Sequence, residues 1–173
     1  MYSSMDLYNK ALLPLHEQEL IDVLEEAFVL AHWKVKRPQK HELLINVTSA
    51  FEFPYYAQLC WLENHSFLSL AVTIGLPVDA NRRHEVDALL SLINTKLHFG
   101  HFEVDERQQI VVFRHTQYTT QDMPYAIELI ENMIYMAAES CNRYYGSFLL
   151  CLHENVDAQG ALKRGSSDVD GNA

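Results

Sequence analysis

Beyond residue 126, the side chains of Ile127, Ile130, Ile134, Ala137, Cys141 and Tyr144 recur at steps of three and four, and nothing else limits the fold of this chain as much. That spacing places them along one face of a helix. Leu129, Met133 and Met136 make a second stripe on another side. A helix that is apolar on two faces is buried on two faces. One face can pack on a sheet, and the other needs a neighbour from the chain or from another protein. Asp122 suits a cap and Pro124 a first turn, so the helix is expected from about Asp122 to Tyr145.

Upstream the period drops to two. Leu68, Leu70, Val72 and Ile74 alternate with Ser69, Ala71 and Thr73, in a strand ended by Gly75 and Pro77. Leu43, Ile45 and Val47 alternate with Glu42, Leu44 and Asn46. A short strand starts at Trp33 and Val35 and breaks at Arg37-Pro38. Another runs from Gln58 to Glu63, with a hairpin turn at Asn64-His65. His101 to Asp105 and Gln109 to His115 read as a second hairpin. Two further helices are expected. One spans His16 to Ala31, on Leu20, Leu24, Ala27, Phe28 and Ala31. The other spans about Asp79 to Phe99, on Val86, Leu89, Leu90, Ile93 and Leu97, with Gly100 at the left-handed position after it. Phe148 to Leu152 is either an added strand or more helix. The order helix, three strands, helix, two strands, helix predicts an α+β fold, a largely antiparallel sheet with helices packed on it. One domain is expected over 16–155, after a partly ordered lead-in at 1–15 and before a disordered tail at 156–173.

The 173 residues suffice for one core without a metal or disulfide staple. The net charge of −10 repels phosphate backbones and anionic headgroups, so neither nucleic acid nor membrane is an expected partner. Cys60, Cys141 and Cys151 sit in apolar surroundings without a C-x-x-C, as reduced thiols do. With no apolar run of membrane length and no leader pattern at Met1 to Lys10, a cytoplasmic protein is expected.

Catalytic and metal motifs do not emerge. His16-Glu17, His41-Glu42, His84-Glu85 and His153-Glu154 each lack a histidine four residues after the first, which a zinc protease helix requires. His98 and His101 are separated by Gly100 and a change of structure. The glycines are scattered, so no phosphate loop or dinucleotide fingerprint forms, and no cofactor is expected. The basic cluster Lys34, Lys36, Arg37 and Lys40 beside Trp33 reads as a solvated loop, with phosphate or RNA contact as its other use. Arg82 and Arg83 fall where the helix dipole disfavours cations, and Glu85 and Asp87 stand at compensating spacing.

The stretch Pro77, Arg82-Arg83, Glu85-Val86, Leu89-Leu90, Ile93-Asn94, Leu97, Gly100-His101-Phe102, then Ile110 and Val112-Phe113-Arg114-His115, resembles the YbjN-type proteins, bacterial proteins designated sensory transduction regulators. Cys141-Asn142-Arg143-Tyr144-Tyr145 is similar to the C-E-R-Y-Y segment of the alphaproteobacterial branch, and His32-Trp33 to that branch's segment after the first helix. The resemblance covers roughly 16–155. It implies a fold like that of type III secretion chaperones, which are small, acidic, usually homodimeric, and bind extended segments of client proteins on apolar surface. Branch members continue with an Ala-rich helix, which Gln159-Gly160 and Gly165-Ser166-Ser167 interrupt here.

The expected function is therefore a non-enzymatic protein-binding module, chaperone-like or regulatory, acting as a homodimer on a client polypeptide. The alternative is a small-molecule-responsive regulatory domain. Candidate partner or dimer contacts are Trp61, Val111, Phe113, Leu129, Met133 and Met136, with Arg82 and Arg83 orienting an acidic segment.

Overall fold

Alternating strands with one apolar phase bury that phase by sharing a sheet and covering it with helices. The computed structural model, which describes residues 20–51, 53–62, 67–119 and 126–167, shows this arrangement. Helix α1 (Leu20–Leu30) leads into β1 (Val35–Gln39), β2 (Glu42–Val47), β3 (Tyr55–Leu62) and β4 (Phe67–Pro77). A 3₁₀ turn (Ala80–Arg82) opens α2 (Arg83–Asn94), followed by β5 (His101–Asp105) and β6 (Ile110–Tyr118). Helices α3 (Ala126–His153) and α4 (Ala158–Ser167) complete the described chain. All strand pairs are antiparallel, in the order β1-β2-β3-β4-β6-β5.

The inward phase is the one the alternation predicts. Leu43, Ile45, Leu59, Leu68, Leu70, Val72, Phe102, Val111 and Phe113 lie in one core with Leu24 and Phe28 of α1, Val86 and Leu89 of α2, and Ile130, Ile134 and Cys141 of α3. Register locks the layers, with Leu59 opposite Leu70 and Val72 opposite Phe113. Burial raises the Cys141 thiol and the Tyr55 phenol well above their usual ranges.

Several details differ from the expected order. Four strands precede α2, not three. The Pro38 strand still pairs, because its proline lies on a sheet edge, in the irregular stretch between Lys36 and Gln39. Trp33 lies before β1, and β3 starts at Tyr55 rather than Gln58. Helix α2 ends at Asn94, well short of Phe99. Phe148 to Leu152 continues α3. The expected disordered tail is corrected over 158–167, which is helical. Ala158 and Ala161 are buried there, and Gly165 approaches Ser147 so closely that a Cβ would collide with its backbone. The small residues that resemble linker composition are the ones a close helix contact admits. Residues 1–19, Glu63, the Asn64-His65 turn, Asp122 and Pro124 lie outside the described residues.

Candidate functional site

The polar residues that distinguish the sequence gather at the corner where α2, β5 and β6 meet, and they are engaged there. The Asn94 amide donates to the Phe102 carbonyl (2.9 Å) and accepts from the Phe102 amide (2.8 Å), imitating a strand partner for β5. This ties the end of α2 to the sheet. Gly100 has φ 62°, and a Cβ there would strike the Phe113 ring and the Arg114 carbonyl. Its left-handed conformation belongs to the entry into β5, not to the end of α2. Arg114 pairs with Glu103 and, at 2.9 Å, with Asp105. Amides of Gln108 and Arg107 also bond Asp105 and hold its carboxyl below the usual range. The His115 ring stacks on Phe99 at 4.0 Å, and burial lowers its pKa.

Arg82 and Arg83 part company. Arg82 donates to the Cys151 carbonyl (2.6 and 2.9 Å) and to the Val156 carbonyl (3.2 Å), at the end of α3. Glu85 accepts from the Ala158 amide at the start of α4 (3.3 Å). One turn of α2 thus supplies a cation to one helix terminus and an anion to another, each of the sign its dipole favours. Arg83 instead pairs with Asp87 (2.8 Å) and Glu106 (2.6 Å), as the Asp87 spacing anticipates. The Cys141-to-Tyr145 segment is similarly structural. Asn142 accepts from the Ala50 amide (3.0 Å), Tyr144 meets Phe102, and Tyr145 meets Phe51 and Phe53. In the basic cluster, Arg37 binds Asp22 (2.6 Å) and Glu25 (2.9 Å) of α1. Among the described residues, no group of acids, histidines and cysteines is arranged to hold a metal ion.

Of the expected contact residues, Val111 and Phe113 are fully buried and Met133 nearly so. The inward phase of β6 carries the first two into the core, and Met133 turns toward the sheet, so none of the three can meet a partner in this arrangement. Trp61 and Leu129 are half-buried against the core, and Met136 is exposed. With Arg82 and Arg83 engaged internally, these residues do not converge on one site.

The surface that does emerge is the outer face of the sheet. No described helix covers it. Its rows run Leu62–Phe67–Tyr118, Cys60–Ser69–Thr116, Gln58–Ala71–Arg114 and Tyr56–Thr73–Val112. Tyr118 is 57% exposed, Tyr56 52%, Leu62 43% and Phe67 37%. Phe67 and Tyr118 meet edge to face at 5.6 Å, so the end row is an organised aromatic edge. Cys60 is half-buried beside it, its thiol raised by burial and by Glu42, whereas Cys141 and Cys151 are buried. Sequence reasoning missed this face because it followed the stronger apolar phase of each strand. The signal was the recurrence of large side chains, Tyr56, Leu62, Phe67 and Tyr118, in the weaker phase.

No curated protein matches the chain, and no solved structure does. A family model does match, over residues 20–150, with the description "Putative bacterial sensory transduction regulator". The match runs from the start of α1 deep into α3 and takes in the α2–β5–β6 corner and the Cys141-to-Tyr145 segment. The chain belongs to the YbjN family.

Proposed function

We propose that this chain is a non-catalytic regulatory module that acts as a homodimer, binds a client polypeptide, and makes these contacts on the outer face of its sheet. The observation that carries the reading is the Leu62–Phe67–Tyr118 row, left uncovered by the described helices, with exposed Tyr56 three rows away on the same face. Aromatic side chains grouped on an unlayered face favour association, since covering them removes apolar area from water and fixes few rotors. The family description supports a regulatory role. The corner residues add a second support. Asn94 and Arg114, and with them Arg82 and Asn142 on other elements, are bonded within the fold.

Cys60 makes the proposal testable without a foreign label. Mass by light scattering and the rate of Cys60 alkylation near pH 9 are compared for the native chain and for Phe67→Glu/Tyr118→Glu. The expected result is a native dimer with slow alkylation and a monomeric variant with fast alkylation that still unfolds cooperatively, at a lower temperature because it has lost the stabilisation of association. A native chain that is monomeric, with Cys60 as reactive as in the variant both alone and in native extract, rejects the proposal.

A further inference from the structure

Away from the sheet's outer face, at the corner where α1 ends and β1 begins, lies a groove of about 550 Å³. That volume suits a small organic ligand. One wall is aromatic and already ordered. Helix α1 closes with the Trp33 amide on the Phe28 carbonyl (2.9 Å) and the His32 amide on the Val29 carbonyl (3.1 Å). This is the helix ending in which the left-handed position normally belongs to glycine. Here His32 occupies it, at φ 64°, a conformation that costs a side-chain-bearing residue about 1 kcal/mol. The turn stacks Trp33 on Phe28 at 5.2 Å and presents its edge to Tyr135 of α3 at 5.4 Å.

Lys34, Asn46 and Thr48 border the groove with His32, and no acidic residue does. Among the described residues, none of these four side chains has a hydrogen-bond or ion-pair partner. A second groove, of about 630 Å³ beside β5, is lined by Asp87, Glu103, Asp105 and Glu106, and its Arg83 and Arg114 are each held by two carboxylates. In a chain of net charge −10, an ammonium beside an aromatic wall, with no acidic residue in the lining, makes a local positive site. The α1 dipole accounts for a cation near its C-terminus, but not for the Trp33–Tyr135 wall or for a strained histidine at its rim.

We infer that this groove binds a small, flat aromatic anion such as an aryl carboxylate or sulfonate. The ring packs against Trp33 and Tyr135, Lys34 meets the anionic group, and Asn46, Thr48 and His32 supply hydrogen bonds. This inference is independent of the sheet-face reading and stands or falls without it.

The test uses 1-anilinonaphthalene-8-sulfonate as the anionic probe and N-phenyl-1-naphthylamine as its neutral counterpart, each titrated by its own emission into the folded chain. The expected result is saturable binding of one sulfonate per chain. Lys34→Glu, which turns an attraction into a repulsion, weakens it about fivefold or more and leaves the neutral probe within about twofold. Tyr135→Ala weakens both probes, and Tyr118→Ser on the sheet's outer face alters neither. Lys34 is exposed, so Lys34→Glu should retain the native melting temperature, while Tyr135→Ala gives up one edge-to-face contact with Trp33 and should lower it by only a few degrees, about what a single such pair contributes. No saturable binding, or binding lost in Tyr118→Ser but kept in Lys34→Glu and Tyr135→Ala, overturns the inference.

Discussion

A methyl group added at Gly75 and one added at Gly100 would meet different surroundings, although both residues sit at positive φ, 70° and 62°. At Gly75 nothing lies within 4 Å, whereas at Gly100 the Phe113 ring and the Arg114 carbonyl occupy the space. Gly75→Ala is expected to cost the backbone term alone, about 1–2 kcal/mol. Gly100→Ala is expected to cost roughly 2 kcal/mol more, because the core must shift as well. Urea unfolding of the two variants measures the difference, and equal losses would mean that the close approach at Gly100 is relaxed at no cost. The left-handed conformation of Gly100 was legible in the sequence, but its cause was not. Periodicity shows where a helix can run, and only the Asn94 bond to Phe102 shows where this one stops. Adjacent arginines teach the same lesson. The Asp87 partner of Arg83 is local and readable, while the carbonyls that Arg82 binds come from the far end of α3.

At the scale of elements, the start of α2 clamps the junction between α3 and α4. Arg82→Met removes the donors to Cys151 and Val156 and leaves partly buried carbonyls unpaired. A loss of about 2 kcal/mol is expected. Hydrogen exchange should localise it, with faster exchange across α4 in Arg82→Met and native exchange there in Arg83→Met. Uniform protection in both variants would show that the clamp does not hold α4. The strands were largely legible because most have a period of two in which one phase carries the larger apolar side chains. Helix α4 was not, because Gly160, Gly165, Ser166 and Ser167 carry weak helix propensity and its stability comes from packing on α3.

For the molecule as a whole, the family match ends at residue 150, but the core does not. Ala158 and Ala161 belong to the buried cluster, with Val156 and Leu162 packed against it. A chain ending at Asn155 is therefore expected to be less stable by about 3 kcal/mol at ~25 cal/mol per Å² of apolar area re-exposed. Its thermal midpoint should fall accordingly, whereas an unchanged midpoint would make α4 a spectator. The outer face of the sheet belongs to this scale too. Both phases of β3, β4 and β6 contain apolar residues, so the stronger phase of each strand was legible as the covered one while the apolar content of the weaker phase did not reveal itself as an exposed face. Met133, which the second apolar stripe of its helix offered as a partner or dimer contact, is interior to the fold.

The pairing of β4 with β6 sets the order in which the chain can assemble. Strands β1 to β4 join as successive neighbours, and β5 meets β6 across a short turn, so each group closes only short loops. Between them stands one long-range joint, whose closest pair in sequence, Pro77 with Ile110, encloses all of α2 and β5. Loop-closure entropy is greatest there, and β4 cannot gain its second neighbour until α2 has crossed the sheet. The two groups of strands can be in place early, and the seam between them is expected to close last, which quench-flow hydrogen exchange would register as late protection of the β4 and β6 amides.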